Sequence, residues 1–373
     1  MKIVMFGHKR IPSREGGIEI VVEKLSSGMV KQGHAVTCCN RSGHHVSGSK
    51  YDKDKIRKYS GVSLRWMPTI DIKGLAAVTS SFFAAIYSAF SRADVVHIHA
   101  EGPAFWSWIP KLFGKKVVVT IHGLDWAREK WKNGFASKFI HWGEWVAVHC
   151  ADEIIVLSTA VQKYFEDTYG RRTVMIPNGL EKVQALQADT ITKQFALKKD
   201  SYILFLGRLV PEKGIHYLLQ AFHQVHTEKR LVIAGGISDS DDYIETLKQL
   251  ASVDDRVLFT GFVEGTVLKE LYSNSYIYVL PSDLEGMPLS LLEAMSCGNC
   301  CLVSDIPECK DVLGDAGFCF PHGNVEELRK MLQFLCDTPT EIVKYREKAA
   351  ESVNEKYNWD HVIKETLYLY LHS

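Results

Sequence analysis

Short apolar runs of strand length alternate with amphipathic stretches of helical period along the whole chain. That alternation predicts parallel α/β units, in which buried strands read as continuous apolar runs and the covering helices keep one polar side. In the first half the strand runs are Lys2–Gly7, Ala35–Cys39, Asp94–His99, Lys116–Ile121, Glu153–Leu157 and Val174–Ile176, with helices between them. The clearest early helix spans about Ile18 to Gln32 and stops before Gly33, a residue suited to a helix C terminus. After Pro177-Asn178-Gly179 a polar stretch to about Asp200 has little strand character and reads as a linker. A second series follows, with strands starting at Tyr202, Leu231, Val257, Tyr276 and Cys300.

Size agrees with two domains, since 373 residues at 46% apolar content can fill two cores of ordinary volume. The 44 basic and 44 acidic side chains cancel, which removes any general attraction to nucleic acid. Nine cysteines form an odd set, and Met1-Lys-Ile-Val-Met-Phe-Gly reads directly as a strand instead of a secretory signal, so a reducing cytosol is expected. Cys297, Cys300 and Cys301 lack the second pair that a zinc spacing needs and read as core or strand cysteines. Gly74 to Ser91 is uncharged but rich in Ser and Thr, and it falls short of the roughly 20 strongly apolar residues of a membrane span. A buried helix is expected there. Neither half carries GxGxxG after its first strand, which weighs against a dinucleotide enzyme.

The candidate chemistry centres on Glu285-Gly-Met-Pro-Leu-Ser-Leu-Leu-Glu293. Gly286 allows a turn, and Pro288 suits the first position of a helix running on through Leu289. Free N–H groups at such a helix start, together with the positive end of its dipole, favour an anion such as a diphosphate. Glu285 would precede that anion, and Glu293 would lie roughly 7 Å further along at 1.5 Å per residue. Carboxylates accept both hydroxyls of a vicinal diol, so one acid suits a sugar and the other a ribose.

Joined to Gly207-Arg-Leu-Val-Pro-Glu-Lys-Gly214, this motif resembles the retaining glycosyltransferases of family 4, which have the GT-B fold. Gly16-Gly17 after the first strand, Thr120-Ile-His-Gly123 and Ile176-Pro-Asn-Gly179 extend the resemblance over nearly the whole length. The variant His122-Gly-Leu-Asp-Trp-Ala-Arg-Glu-Lys-Trp131 resembles bacterial members that build capsule, lipopolysaccharide or exopolysaccharide. The resemblance implies two Rossmann-like parallel-sheet domains facing a central cleft. They are an acceptor-side domain over 1–178 and a nucleotide-sugar-binding domain over 179–356, followed by a C-terminal helix over 357–373 that returns to the first.

By the same resemblance, Arg208 and Lys213 hold the donor diphosphate, and two fixed cations suit a leaving group whose negative charge grows in the transition state. Glu285 is directed at the transferred sugar and Glu293 at the ribose. Phe262 and Val263 match the place where the base is held by backbone contacts. Gly16 and Gly17 match a loop that helps cover the donor. His122 is assigned to positioning and charge stabilisation, because the leaving phosphate is thought to assist the acceptor hydroxyl in such enzymes. Where many relatives have an aromatic residue and glycine, this chain has Met287-Pro288. Proline donates no hydrogen bond, so phosphate contact is expected from Leu289 and Ser290. No metal and no cofactor beyond the nucleotide-sugar co-substrate is expected, and the acceptor would be a saccharide or lipid-linked saccharide.

His97 and His99 share one strand face and would suit metal ligands, but without a third ligand they read as strand-end packing or acceptor lining. Trp126, Trp131, Trp142 and Trp145 fall among Arg128, Lys130, Lys132 and Lys138. That mixture fits either peripheral contact with the inner face of the plasma membrane or a helix core beside an acceptor groove. Phe105, Trp106 and Trp108 read as core packing. Competing readings are a GT-B nucleotide-sugar hydrolase or epimerase, and a non-catalytic sugar-nucleotide-binding subunit.

Overall fold

The computed structural model describes the chain except residues 15, 44–54, 73, 128–134, 182–184, 237–240, 355 and 373. It divides into two compact units, Met1–Gly179 with Asn358–Ser373 and Leu180–Tyr357.

In unit 1 the chain runs through β1 (Lys2–Phe6), α1 (Gly17–Lys31), β2 (Ala35–Arg41), β3 (Lys58–Tyr59), β4 (Val62–Met67), α2 (Leu75–Phe90) and β5 (Val95–His99). It continues with α3 (Glu101–Ala104), α4 (Trp108–Leu112), β6 (Lys116–Ile121), α5 (Phe135–Cys150), β7 (Glu153–Val156), α6 (Thr159–Tyr169) and β8 (Val174–Met175). These strands form one eight-stranded sheet in the order β3-β4-β2-β1-β5-β6-β7-β8. Every pairing is parallel except that of β3 with β4. The continuous runs Val4–Phe6, Val95–Ile98 and Val117–Ile121 are buried, as the two covered faces of a parallel sheet require.

In unit 2 the elements are α7 (Thr190–Phe195), β9 (Tyr202–Leu206), α8 (Ile215–Phe222), β10 (Arg230–Ala234), α9 (Asp241–Ala251), β11 (Val257–Gly261), α10 (Gly265–Asn274) and β12 (Ile277–Leu280). They continue as α11 (Leu289–Ser296), β13 (Cys300–Ser304), α12 (Pro307–Leu313), β14 (Phe318–Phe320), α13 (Val325–Asp337) and α14 (Pro339–Asn354). Six parallel strands lie in the order β11-β10-β9-β12-β13-β14. The last helix, α15 (Trp359–His372), belongs to unit 1. There Lys116 Nζ donates to the carbonyls of Leu369 and Tyr370 at 3.2 and 2.9 Å, placing a cation at the negative end of that helix.

Four details differ from the pattern-based expectation. The β3–β4 hairpin turns through Ser60 and Gly61, both at positive φ, and β4 is an alternating strand with Ser63 and Arg65 outward. The expected linker contains α7, whose start is held by Glu270 Oε2 accepting from the N–H groups of Asp189 and Ile191 at 3.1 and 3.0 Å. The expected buried helix, α2, buries its small residues Ser81, Ala84, Ala85 and Ser88 and turns Phe83 and Phe90 outward, Phe90 being 73% exposed. Small side chains let this helix approach its neighbours closely, with Phe82 and Tyr87 packed against the core and Phe83 and Phe90 left exposed. Trp108, expected in the core, is exposed as well.

Candidate active site

In unit 2 the loops leaving β9, β12 and β13 converge. After Gly207 and Arg208 the chain makes one tight turn, Pro211–Lys213, and reaches Gly214 at φ 64°, where α8 begins. A Cβ at Gly214 would stand 2.0 Å from the Pro281 carbonyl oxygen, so glycine is what lets this loop lie on the end of β12. That approach puts Lys213 Nζ 2.5 Å from Glu285 Oε1, with side chains only 13% and 8% exposed. Ser282 Oγ donates to the same oxygen at 2.7 Å. In turn Ser304 Oγ, at the end of β13, donates to the Ser282 carbonyl at 2.5 Å. The Asp283 N–H donates to the Glu212 carbonyl at 2.9 Å, tying the two loops together again. Removing one member of such a sheltered pair typically costs about 3–5 kcal/mol, because the other charge is left desolvated.

α11 starts beside this pair. Pro288 is the residue before the helix, not its first residue: its ψ of 96° is extended and Leu289 begins the helix. The Pro288 carbonyl accepts from the N–H groups of Leu291 and Leu292 at 3.1 and 3.2 Å. The N–H groups of Leu289 and Ser290 precede those first helical bonds, as an anion-binding helix start requires. Ser290 Oγ accepts from the buried Tyr278 hydroxyl at 2.8 Å. Glu293 is half-buried on the same helix. Burial, then the Glu293 charge, pushes the Tyr272 phenol well above its ordinary value and the Cys297 thiol up to about 12. Burial and the Glu285 charge likewise raise the carboxyl of Glu308, at the start of α12. Phe262 and Val263 follow the end of β11 and are half-buried.

In unit 1 Gly16 precedes α1 in extended backbone, and a Cβ there would meet Glu19 Oε2 at 2.7 Å. Glu19 is buried and accepts from the Lys9 N–H at 2.9 Å. Burial acts to raise its carboxyl, but the Lys9 charge and N–H outweigh this and hold it below the usual value. Asn40, also buried, bonds Ile11 through both its amide atoms, at 3.1 and 3.0 Å. These two polar residues fix the loop between β1 and α1, and sequence reasoning passed over both.

His122 follows β6 and is buried, its Nε2 3.0 Å from His99 Nδ1. The rings of His97 and His99 lie 4.1 Å apart, and His97 bonds Tyr370 of α15 at 2.6 Å and Thr120 at 2.7 Å. Burial lowers His97 to about 3 and keeps His99 far below the ordinary histidine range. The strand-end packing expected of His97 and His99 therefore includes a direct contact with His122. Nearby, Glu101 Oε2 accepts from the Asp125 N–H at 2.8 Å, and burial holds this carboxyl well above its usual value, assisted by Asp125 and Glu144. Glu144 accepts from Trp126 Nε1 at 3.2 Å, from the Tyr164 hydroxyl at 2.8 Å and from the Tyr169 hydroxyl.

Family models match both units: Glycosyltransferase Family 4 over residues 15–182 and Glycosyl transferases group 1 over residues 187–355. The chain belongs to the GT-B glycosyltransferases. An uncharacterized glycosyltransferase of Methanocaldococcus jannaschii is 26% identical, covering 99% of this chain and 98% of its own. The O-antigen chain mannosyltransferase B of Escherichia coli is 28% identical over 48% of each chain. The crystal structure of Anabaena HepE in complex with UDP and glucose superposes with a TM-score of 0.80 at 16% identity, covering 99% of both chains.

On this glycosyltransferase the aromatic and basic segment divides in two. Trp126 is held by Glu144 and stacks on His141 at 4.8 Å, whereas Trp142 and Trp145 on α5 are 50% and 54% exposed and share that helix with the exposed Lys138. Arg128, Lys130, Trp131 and Lys132 lie outside the described residues. Among the described residues no helix is long and apolar enough to cross a membrane.

Proposed function

We infer that this enzyme is a retaining, metal-independent member of family 4. It transfers a sugar from a nucleoside-diphosphate-sugar to a saccharide or lipid-linked saccharide acceptor in cell-surface polysaccharide synthesis. The observation that carries the reading is the sheltered Lys213–Glu285 pair beside the start of α11. It sets a cation, a carboxylate and the first-turn N–H groups of α11 at the ends of parallel strands, where α/β sheets collect ligands. Arg208 and Lys213 meet the charge that grows on the leaving diphosphate, with Leu289 and Ser290 donating from the helix start, so no metal is needed there. Glu285 holds the sugar, Glu293 the ribose, and Phe262 and Val263 the base. Gly16, Gly17 and His122 act on the donor sugar. The likeness to an O-antigen mannosyltransferase supports the cell-surface assignment, and that to a UDP complex supports the donor class.

Anomeric analysis of the product by proton NMR tests this reading. Transfer with the donor's configuration kept is expected. An inverted product contradicts the mechanism, and free sugar or an epimerised nucleotide-sugar without transfer contradicts the activity. Peripheral contact with an anionic bilayer through Trp142, Trp145 and Lys138 belongs to the same reading, with the enzyme at the inner face of the plasma membrane. Flotation with anionic liposomes is expected to carry the wild type upward; absence from the floated fraction removes this part.

A further inference from the structure

Residue Ala100 holds φ 85° and ψ 154°, a region that glycine favours and that costs other residues about 1–3 kcal/mol unless the surroundings enforce it. Its two neighbours point to what is enforced. His99 reaches His122 at 3.0 Å, and Glu101 takes the Asp125 N–H at 2.8 Å, so the end of β5 grips the loop after β6 at both sides. The backbone is equally crowded: a Cβ on Gly7 would lie 2.0 Å from the His99 carbonyl oxygen, which locks the end of β1 against β5.

His99 is wholly buried, with His97, His122 and His8 as its titratable neighbours. A neutral imidazole carries one proton, and two placements are open to it. On Nε2 it would be a buried donor, and Nε2 has no hydrogen-bond partner among the described residues. On Nδ1 it is donated to His122 Nε2 at 3.0 Å, and only an acceptor is left unpaired. An orphaned buried N–H is rarer in proteins than an under-used acceptor, so the second placement is favoured.

We propose that His99 is a positioning residue: it donates from Nδ1 to His122 Nε2 and thereby fixes neutral His122 with its own proton on Nδ1. His122 is then a hydrogen-bond donor of set direction. A proton arriving on its Nε2 would face the His99 N–H, so the pair opposes a general-base role. This assignment rests on the reading that His122 acts on the donor sugar, but the tautomer is measurable without any turnover.

The test is a long-range proton–nitrogen spectrum of the full chain labelled with nitrogen-15 histidine, the His122 signals being assigned by their loss in His122→Gln. His122 is expected to show Nδ1 protonated and Nε2 bare at neutral pH. Nε2 protonated, or both nitrogens protonated, overturns the proposal. In the kinetic arm, His99→Phe keeps an aromatic ring but removes the donor, and turnover is expected to fall about tenfold, the effect of one hydrogen bond, with KM for the donor little changed. His99→Asn returns an N–H near the Nδ1 position and should recover most of the loss. Wild-type turnover in His99→Phe overturns the positioning role. If no nucleotide-sugar is turned over by the wild type, the proposed function fails while the spectrum still decides the tautomer.

Discussion

Two parallel sheets end in opposite chemistry. At the strand ends of unit 2 the functional groups are charged and paired, with Lys213 on Glu285 and Ser282 supporting the carboxylate. At those of unit 1 the buried imidazoles of His8 and His97 are lowered to about 4 and about 3, mainly by burial, and are neutral at pH 7. The same architecture thus carries a paired lysine and carboxylate at the strand ends of one unit and the uncharged imidazoles of His8 and His97 at those of the other. Substitutions in unit 2 should therefore act through charge, and those in unit 1 through proton position and backbone fit.

Arg208→Ala breaks the comparison most severely. Loss of one preorganised donor to developing charge typically lowers turnover about 10²–10³-fold, and that is the expected change in kcat here. Steady-state kinetics with the cognate donor check it, and an unchanged kcat would place the catalytic field elsewhere.

Acid should separate the units next. Between pH 6.5 and their lowered values, His8 and His97 bind fewer protons folded than unfolded, so the stability they supply is present above pH 6.5 and falls as pH drops. The His8 shift alone corresponds to about 3 kcal/mol at 1.36 kcal/mol per pH unit. In unit 2 Asp254 is held at about 2, chiefly by its hydrogen bonds with Arg256, so its contribution is lost only as pH falls from 3.8 toward 2. Hydrogen exchange followed by mass spectrometry at pH 7 and pH 5 should show protection lost first in β1 and β5, with β9 and β12 retained. Equal loss in both units would contradict the contrast.

A smaller effect sharpens the division within unit 2. Glu293→Ala is expected to weaken nucleotide affinity about tenfold, near 1.4 kcal/mol, with turnover at saturation little changed. Glu285→Ala should instead mainly reduce turnover. Titration calorimetry with the nucleoside diphosphate, set beside kcat, distinguishes them, and the reverse pattern exchanges the two roles.

Much of the fold was legible because parallel strands buried on both faces leave unbroken apolar runs; β6 begins and ends, and β13 begins, where the pattern placed them. What escaped has physical reasons. β14 is only Phe318–Phe320, too short for a period to register, and α7 depends on Glu270 from a distant helix to hold its start. The outward face of α2 was misjudged because composition reports how apolar a helix is, not which side its small residues take. At the candidate site, Glu285 stood out through the glycine and proline chemistry beside it, and Lys213 through the family resemblance of its motif. Their supports did not. Ser282 and Ser304 are ordinary residues until strand ends bring them together, and the contact of His99 with His122 joins residues 23 apart in sequence across neighbouring strands.

The central claim is that the paired charges of unit 2 bind a nucleoside-diphosphate-sugar. A thermal-shift screen of the full chain against UDP-, GDP-, TDP- and ADP-sugars tests it directly. A donor present at 100 times its Kd should stabilise the protein by about 2.7 kcal/mol. One class of donor is expected to raise the melting temperature of the wild type, and Arg208→Ala should abolish that rise. No shift with any donor, or a shift that survives Arg208→Ala undiminished, would contradict the account.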